Sequence, residues 1–311
     1  MVRFGSGTVD TVNIDSYIVI AMLIAELLSL RSLLKLFAEK GEYEYSNNER
    51  SDNNLTISEA IIMKHLYGLI GFPLSHSFSK GYFAKKFEKE GITDCFYDSF
   101  PLESIDLFPQ LLADNPNFAG INVTIPYKQQ VIPFLDELEE SAAAIGAVNT
   151  IKFQDKKLIG FNTDVYGFEQ SLLPIVRQKY SENEQVSSLV LGTGGAAKAI
   201  FYILKKNNLN PTFVSRTAKP NHLTYKDLNK TIIDENQIII NTTPLGMSPK
   251  VDACADLPYE LLTENHILYD LVYNPEVTLF LQKGLDQKAT IKNGLEMLHL
   301  QAEKSWEIWQ S

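Results

Sequence analysis

VLGTGGAAKAI, Val190 to Ile200, is the stretch whose reading decides the fold. The apolar run VSSLVL, Val186 to Leu191, enters it as a buried strand, and Gly192, Gly194 and Gly195 carry no side chains where the chain must turn sharply into a helix. A helix that starts this way presents unpaired backbone N–H groups and the positive end of its dipole, which suits a pyrophosphate in a strand–helix–strand dinucleotide site. Glycine-rich turns between strands and helices also occur without a ligand, so the turn by itself leaves both readings open.

The segment after the next strand narrows the choice. PTFV, Pro211 to Val214, is followed by Ser215, Arg216 and Thr217, at the offset where an NAD site would carry Asp or Glu for the ribose 2′-hydroxyl. A carboxylate repels a 2′-phosphate, whereas a guanidinium forms charge-assisted hydrogen bonds with it, so these residues favour NADP over NAD. Lys219 adds a second positive charge beside them.

Outside this unit, composition excludes several classes. The 311 residues suffice for two cores, and 38 acidic against 28 basic residues, with no basic arm, argue against a nucleic-acid partner. Cys95 and Cys254 form no CxxC pattern, and His65, His76, His222, His266 and His299 show no ligand spacing. Neither a disulfide framework nor a metal site is expected, and a reducing cytoplasm fits. Residues 1–62 read as an extension. YIVIAMLIAELLSL, Tyr17 to Leu30, is short for a membrane span and contains Glu26, so it reads as an amphipathic helix. The polar stretch Glu42 to Thr56 reads as a linker. No membrane partner is expected.

From Met63 the pattern alternates strand and helix, the order of an α/β protein. KHLYGLIG reads as a strand, residues 79–89 as a helix, CFYDSF as a strand, residues 105–113 as a helix and AGINVTI as a strand with a further helix beyond Pro126. AAAIGAVNTIKF gives a helix end and a strand, and KLIGFNTDVYGF a strand that turns at Asn162 into a helix. Open α/β sheets bind ligands beyond the carboxyl ends of their strands, where this chain places Ser77, Ser79, Thr124, Lys128, Asn149, Thr150 and Asp164. Two hydroxyls suit a carboxylate, Asn and Thr suit hydroxyl groups, and a lysine beside an aspartate suits proton transfer to and from an oxygen. Taken singly, the serines also read as helix caps, Lys128 as a solvated first-turn residue and Asp164 as a helix N-cap.

Taken together, GFPLSHSFS, NVTIPYK, GAVNTI, NTDVYG, GTGGAAKA, SRT, NTTPLGM, YDLVYNPEVTLF and NGLEMLHLQA follow the order and spacing of motifs in the shikimate dehydrogenase family, which this chain resembles from Met63 onward. The resemblance implies reversible NADPH-dependent reduction of 3-dehydroshikimate to shikimate, a step of the shikimate pathway toward chorismate and the aromatic amino acids. It implies catalytic roles for Lys128 and Asp164. It puts Ser77 and Ser79 on the substrate carboxylate, Thr124, Asn149, Asp164 and Gln301 on the ring hydroxyls, and Tyr273 in the same cleft. On the cofactor side it assigns Gly192, Thr193, Gly194, Gly195 and Ala196 to the pyrophosphate, Ser215, Arg216, Thr217 and Lys219 to the adenosine phosphate, and Thr243, Leu271 and Gly294 to the nicotinamide half.

The resemblance further implies two α/β domains. A substrate domain with a mostly parallel sheet spans 63–165 plus 290–311, and a Rossmann-type NADP domain spans 166–289, with the last helix returning to the first. In that helix Leu295, Leu298, Ala302, Trp306 and Trp309 share one face and are expected to pack on a core, with Gln301 beside it. A monomer or homodimer in the cytoplasm is expected. The chain departs from the family pattern at Lys80, Phe161 and Val165, none of which removes a polar group from the site, and at Pro220, near a position where some members have a further Arg, which implies a weaker 2′-phosphate clamp. Three rivals remain: a quinate/shikimate dehydrogenase using NAD, a non-catalytic shikimate-binding relative, and a methylenetetrahydrofolate-type dehydrogenase. The paired serines disfavour the last because they suit a small carboxylate better than a pterin.

Overall fold

Alternation along β1 (His65–Gly71) divides its side chains between two cores. Leu66 and Ile70 pack with Ile121, Val123 and Ile151, whereas Tyr67 and Leu69 meet Phe83, Tyr97 and Trp309. β1 belongs to a six-stranded sheet with β2 (Cys95–Pro101), β3 (Phe118–Val123), β4 (Glu137–Leu138), β5 (Thr150–Gln154) and β6 (Lys157–Phe161), in the order β2-β1-β3-β5-β6-β4. Neighbours are parallel except that β5 runs against both β3 and β6. The reversal matters for the site. With Thr150 opposite Asn122 on one side and Phe161 on the other, the start of β5 lies at the edge where β3 and β6 end.

The computed structural model describes residues 65–74, 78–181 and 184–311, all within the unit Ser58–Ser311. The extension 1–62, with its apolar segment 17–30 and its polar stretch 42–56, and the candidate Ser77 lie outside the described residues. Among the described residues, no helix is long and apolar enough to cross a membrane.

The helices of the first part are α1 (Phe78–Glu90), α2 (Phe108–Asp114) and α3 (Glu140–Ile145), and α4 (Thr163–Lys179) leads on to the second sheet. The helix expected beyond Pro126 is not there. Residues 125–131 form turns that end in a 3-10 turn at Ile132–Phe134. Pro133 has no N–H to bond back along the chain and crowds the residue before it, which disfavours extending the turns after Pro126 into a regular α-helix.

The second sheet comprises β7 (Ser188–Leu191), β8 (Pro211–Ser215), β9 (His222–Thr224), β10 (Ile238–Asn241), β11 (Ile267–Asp270) and β12 (Thr290–Lys292). All neighbours are parallel, in the order β12-β11-β10-β7-β8-β9. Val190, Ile238, Ile240, Ile267 and Tyr269 face a core that includes Phe168 and Leu172 of α4, while Leu189, Leu191, Ile239 and Leu268 face a second core with Phe280. A parallel sheet covered on both faces needs apolar residues at successive positions, which is why VSSLVL and IIIN show no alternation. Strand order reverses between β7 and β10, where doubly wound sheets open a ligand crevice. α5 (Gly195–Lys206), α6 (Lys230–Glu235) and α7 (Leu279–Asp286) complete this part.

The last helix, α8 (Leu295–Gln310), returns to the first sheet. Trp309 is 7% exposed and donates its indole N–H to Ile151 O at 3.0 Å, and its ring fills the space over Gly120, where a Cβ would stand 2.3 Å from the indole nitrogen. Ala302 is buried, and Leu298 and Trp306 are half-buried, with Trp306 against Tyr67. Leu295 departs from the expectation, being 40% exposed. Its period matches the buried face, but as the first residue of the helix it lies beyond the partners that cover the others. On its other side α8 packs tightly on α4 through Gly167, where a Cβ would fall 2.5 Å from Met297 O and 3.1 Å from Gln301 N.

Candidate active site

The turn after β3 carries Lys128, and the first turn of α4, entered directly from β6, carries Asp164. Lys128 Nζ donates to Asp164 Oδ2 at 2.6 Å. The two side chains keep 32% and 23% of their surface exposed, so the pair is ordered yet open to a ligand. Val148 N–H donates to Lys128 O at 2.7 Å, which ties the lysine's backbone to the segment that carries Asn149. Asp164 does not cap its helix. The cap residue is Asn162, whose side chain makes no capping bond, and the Thr163 N–H is taken instead by Asn149 Oδ1 at 2.7 Å. One predicted ligand residue thus fixes the start of the helix that presents another.

Asn149 and Gln301 meet. With Oδ1 committed to the Thr163 N–H, the Asn149 amide turns Nδ2 toward Thr163 Oγ1 at 3.0 Å and Gln301 Oε1 at 3.4 Å, while Gln301 Nε2 donates to Leu298 O at 2.9 Å. Behind them, Thr150 Oγ1 lies 2.8 Å from Ser305 Oγ, and Asn122 Nδ2 reaches Ser305 Oγ at 3.0 Å and Thr150 Oγ1 at 3.2 Å. Tyr97 donates to Asn122 Oδ1 at 2.8 Å, and the Ser79 hydroxyl hydrogen-bonds Tyr97. Burial pushes the Tyr97 phenol well above its ordinary range, which keeps it a donor. The chain of contacts joins α1, β2, β3, β5, α4 and α8 at one end of the first sheet. Thr124 stands half-buried at that end, its N–H on Ile70 O at 2.9 Å. Lys80 pairs with Asp98 at 2.7 Å. Tyr273 is 41% exposed, and no hydrogen bond among the described residues joins it to this cluster.

At the other sheet, Gly192 has φ +110, a conformation that a side chain would strain, and it sits against Thr242 and Thr243 at the crevice between β7 and β10. Gly194 and Gly195 are exposed at the start of α5, and a Cβ on either would meet nothing within 4 Å, which leaves the helix N-terminus open to a phosphate group. Lys219 Nζ reaches Thr193 Oγ1 at 3.2 Å, bringing its charge to the glycine turn. Arg216 is exposed, its charge felt by the half-buried Tyr225, whose phenol burial raises. Ser215 is buried and bonds Thr217 O, which shapes the turn that displays Arg216. These residues fit a dinucleotide with a 2′-phosphate.

Thr243 donates to Asn241 Oδ1 at 2.6 Å, and Asn241 Nδ2 donates to Asp270 Oδ1 at 2.9 Å. Thr278 donates to Asp270 Oδ2 at 2.6 Å. Asp270 has no exposed surface, and burial pushes its carboxyl up to about 6 against the pull of these donors. It thereby ties the loop after β10 to the loop after β11, which carries Leu271. Leu271 O lies so close to Gly294 that any side chain there would collide with it, so these two predicted nicotinamide residues are adjacent.

Sequence reasoning did not single out Asn122, Tyr97, Thr163, Ser305 or Asp270. Two left a signal. Asn122 interrupts the apolar strand Ile121–Val123 with an amide, and Ser305 falls on the helical period of Leu298, Ala302 and Trp309, a face that otherwise is apolar.

Residues 69–151 match the family model described as the shikimate dehydrogenase substrate binding domain. The shikimate dehydrogenase (NADP(+)) of Desulforamulus reducens is 36% identical over 266 residues, covering 78% of this chain and 88% of that protein. The crystal structure of shikimate dehydrogenase from Aquifex aeolicus superposes with a TM-score of 0.69 at 32% identity, over 79% of this chain and 92% of that one. That of the Thermus thermophilus shikimate 5-dehydrogenase in complex with NADP(H) and shikimate gives 0.67 at 28% identity, over 78% and 92%.

Proposed function

The chain belongs to the shikimate dehydrogenase family, and from that premise we infer that it is an NADP-dependent oxidoreductase interconverting 3-dehydroshikimate and shikimate in the shikimate pathway. The observation that carries the reading at residue level is the Lys128–Asp164 ion pair of 2.6 Å, at the same sheet edge as Asn149 and Gln301.

When bound, NADPH supplies the hydride that reduces the carbonyl carbon. Lys128 Nζ gives its proton to the carbonyl oxygen as negative charge gathers there, and in the oxidative direction it takes the hydroxyl proton back. Asp164 holds the ammonium in place and accepts from the substrate hydroxyl. Asn149, Gln301 and Thr124 hold the other ring hydroxyls, Ser77 and Ser79 receive the carboxylate, and Tyr273 lines the same cleft. Gly192, Thr193, Gly194, Gly195 and Ala196 hold the pyrophosphate, and Arg216 and Lys219, framed by Ser215 and Thr217, hold the 2′-phosphate. Thr243, Leu271 and Gly294 line the nicotinamide position.

The reading divides the chain into a substrate domain of 63–165 plus 290–311 and an NADP domain of 166–289, supported by the first sheet falling wholly within 63–165 and by α8 packing on it, although β12 (Thr290–Lys292) pairs with β11 and so belongs to the second sheet. It places the protein in the cytoplasm as a monomer or homodimer, consistent with unpaired Cys95 and Cys254. The test is Lys128→Ala assayed by NADP reduction with shikimate. Turnover should fall by about 10²- to 10⁴-fold with a much smaller change in shikimate binding. Unchanged turnover would remove the lysine from the mechanism.

A further inference from the structure

We propose that Ser305 is a positioning residue for the substrate. From one turn behind Gln301 it sets the direction of hydrogen bonding in the cluster that presents the Asn149 and Gln301 carboxamides. The inference rests on the reading above that these two amides hold the ring hydroxyls.

The argument is an account of protons and lone pairs in a sealed space. Ser305 and Thr150 have no exposed surface, and Thr163, Asn149 and Asn122 are 2%, 3% and 6% exposed. Asn122 is fixed by the Tyr97 hydroxyl on its oxygen, so its two amide protons point at Ser305 Oγ (3.0 Å), Thr150 Oγ1 (3.2 Å) and Asn149 O (3.2 Å). Ser305 donates its one proton to Gln301 O at 2.9 Å, which leaves Oγ an acceptor for Asn122 and for Thr150 or Thr163, at 2.8 and 3.2 Å.

Without that oxygen the hydroxyl protons of Thr150 and Thr163 fall back on Asn149 Oδ1, at 3.1 and 3.2 Å. Oδ1 already takes the Thr163 N–H at 2.7 Å and has only two lone pairs. The excess donor is then Thr163, whose remaining acceptors are Thr150 Oγ1 at 3.4 Å, which already accepts from Asn122 Nδ2, and Gln301 Oε1 at 3.5 Å. A Gln301 oxygen drawn into that internal bond is withdrawn from the substrate. With Ser305 present, Asn149 Nδ2 and the Gln301 carboxamide share only a long contact of 3.4 Å, loose enough to yield to a ligand.

A packing role alone would not require the hydroxyl. Alanine fills nearly the same volume, has higher helix propensity, and removes a back-bond to the i−4 carbonyl of the kind that bends helices. Ser305→Ala should therefore fold like the parent yet bind substrate less well. The experiment measures initial rates with shikimate varied at saturating NADP, and with NADP varied at saturating shikimate, alongside a thermal melt.

Ser305→Ala is expected to raise the shikimate KM about five- to tenfold, the equivalent of one lost hydrogen bond, with the NADP KM and the melting temperature close to the parent's. Ser171→Ala is the control. It removes another buried serine hydroxyl that back-bonds, to Phe168 O at 3.0 Å in α4, and should leave the shikimate KM alone. Asn149→Ala and Gln301→Ala test the premise. If both raise the shikimate KM while Ser305→Ala does not, the positioning role is overturned. Equal changes in both KM values, or a large drop in melting temperature, overturn it in favour of a structural role. If neither amide variant alters the shikimate KM, it is the substrate-site reading that fails.

Discussion

Gly167→Ala tests whether helix packing governs substrate binding. A Cβ at Gly167 would lie 2.5 Å from Met297 O, 3.1 Å from Gln301 N and 3.2 Å from Gln301 Cβ. The two closest atoms are backbone, so no side-chain rotation relieves the clash. Ordinary contact begins near 3.4 Å, and α4 and α8 must separate by about 0.9 Å to reach it. Two effects of opposite sign compete. Removing a glycine from a helix interior gains about 1 kcal/mol, whereas forcing a methyl group into a filled interface costs about 1–3 kcal/mol. With backbone as the obstacle the cost falls at the upper end, leaving a net loss of about 1–2 kcal/mol. The displacement is larger than the slack in the Asn149–Gln301 contact, already 3.4 Å, so it separates the two amides. Urea unfolding should show the lower stability, and initial rates should show a shikimate KM raised about tenfold with the NADP KM little changed. A variant at least as stable as the parent, with an unaltered shikimate KM, would refute the close approach of the two helices.

Three further outcomes are expected. Arg216→Ala should raise the NADP KM about 10- to 100-fold, the scale of a lost charge-assisted hydrogen bond, and narrow the preference for NADP over NAD while sparing the shikimate KM. An unchanged cofactor ratio would count against Arg216 as the phosphate ligand. Asp270, with a folded-state pKa pushed up to about 6 from 3.8, binds its proton more tightly when folded, so its contribution to stability is fully present below about pH 4 and is lost as pH rises through 6. Asp270→Asn should remove that decline, seen as a stability difference that shifts toward the variant between pH 4 and 7 in urea unfolding, and a shift toward the parent would contradict the sign. Trp309→Phe deprives Ile151 O of its donor and leaves space over Gly120, for an expected loss of about 2–4 kcal/mol by urea unfolding. A loss under about 0.5 kcal/mol would show that the indole does not anchor α8.

The second sheet was legible because its burial on both faces writes itself as apolar runs, and because Gly192 at φ +110 satisfies a requirement that few residues other than glycine meet. The pairing of Lys128 with Asp164 could be anticipated from strand ends, but only the family resemblance joined residues 36 positions apart. What escaped depends on direction and register. That β5 runs backward follows from strand pairing and not from its composition, and this reversal is what brings Thr150 against Asn122. Ser305 reads locally as a neutral helix residue, and its role arises from partners as far away in sequence as Asn122. Leu295 shows the opposite failure. Its helical phase is right, but phase alone does not say where the neighbouring elements stop.

The return of α8 has a consequence for biogenesis. On the ribosome, Tyr67, Phe83 and Gly120 emerge long before Trp309, so the face they form stays wet while the entire second sheet is being made. The nascent first sheet must wait, its aromatic side chains open to chaperones or to neighbouring chains, until a helix translated after the whole second sheet arrives to cover them.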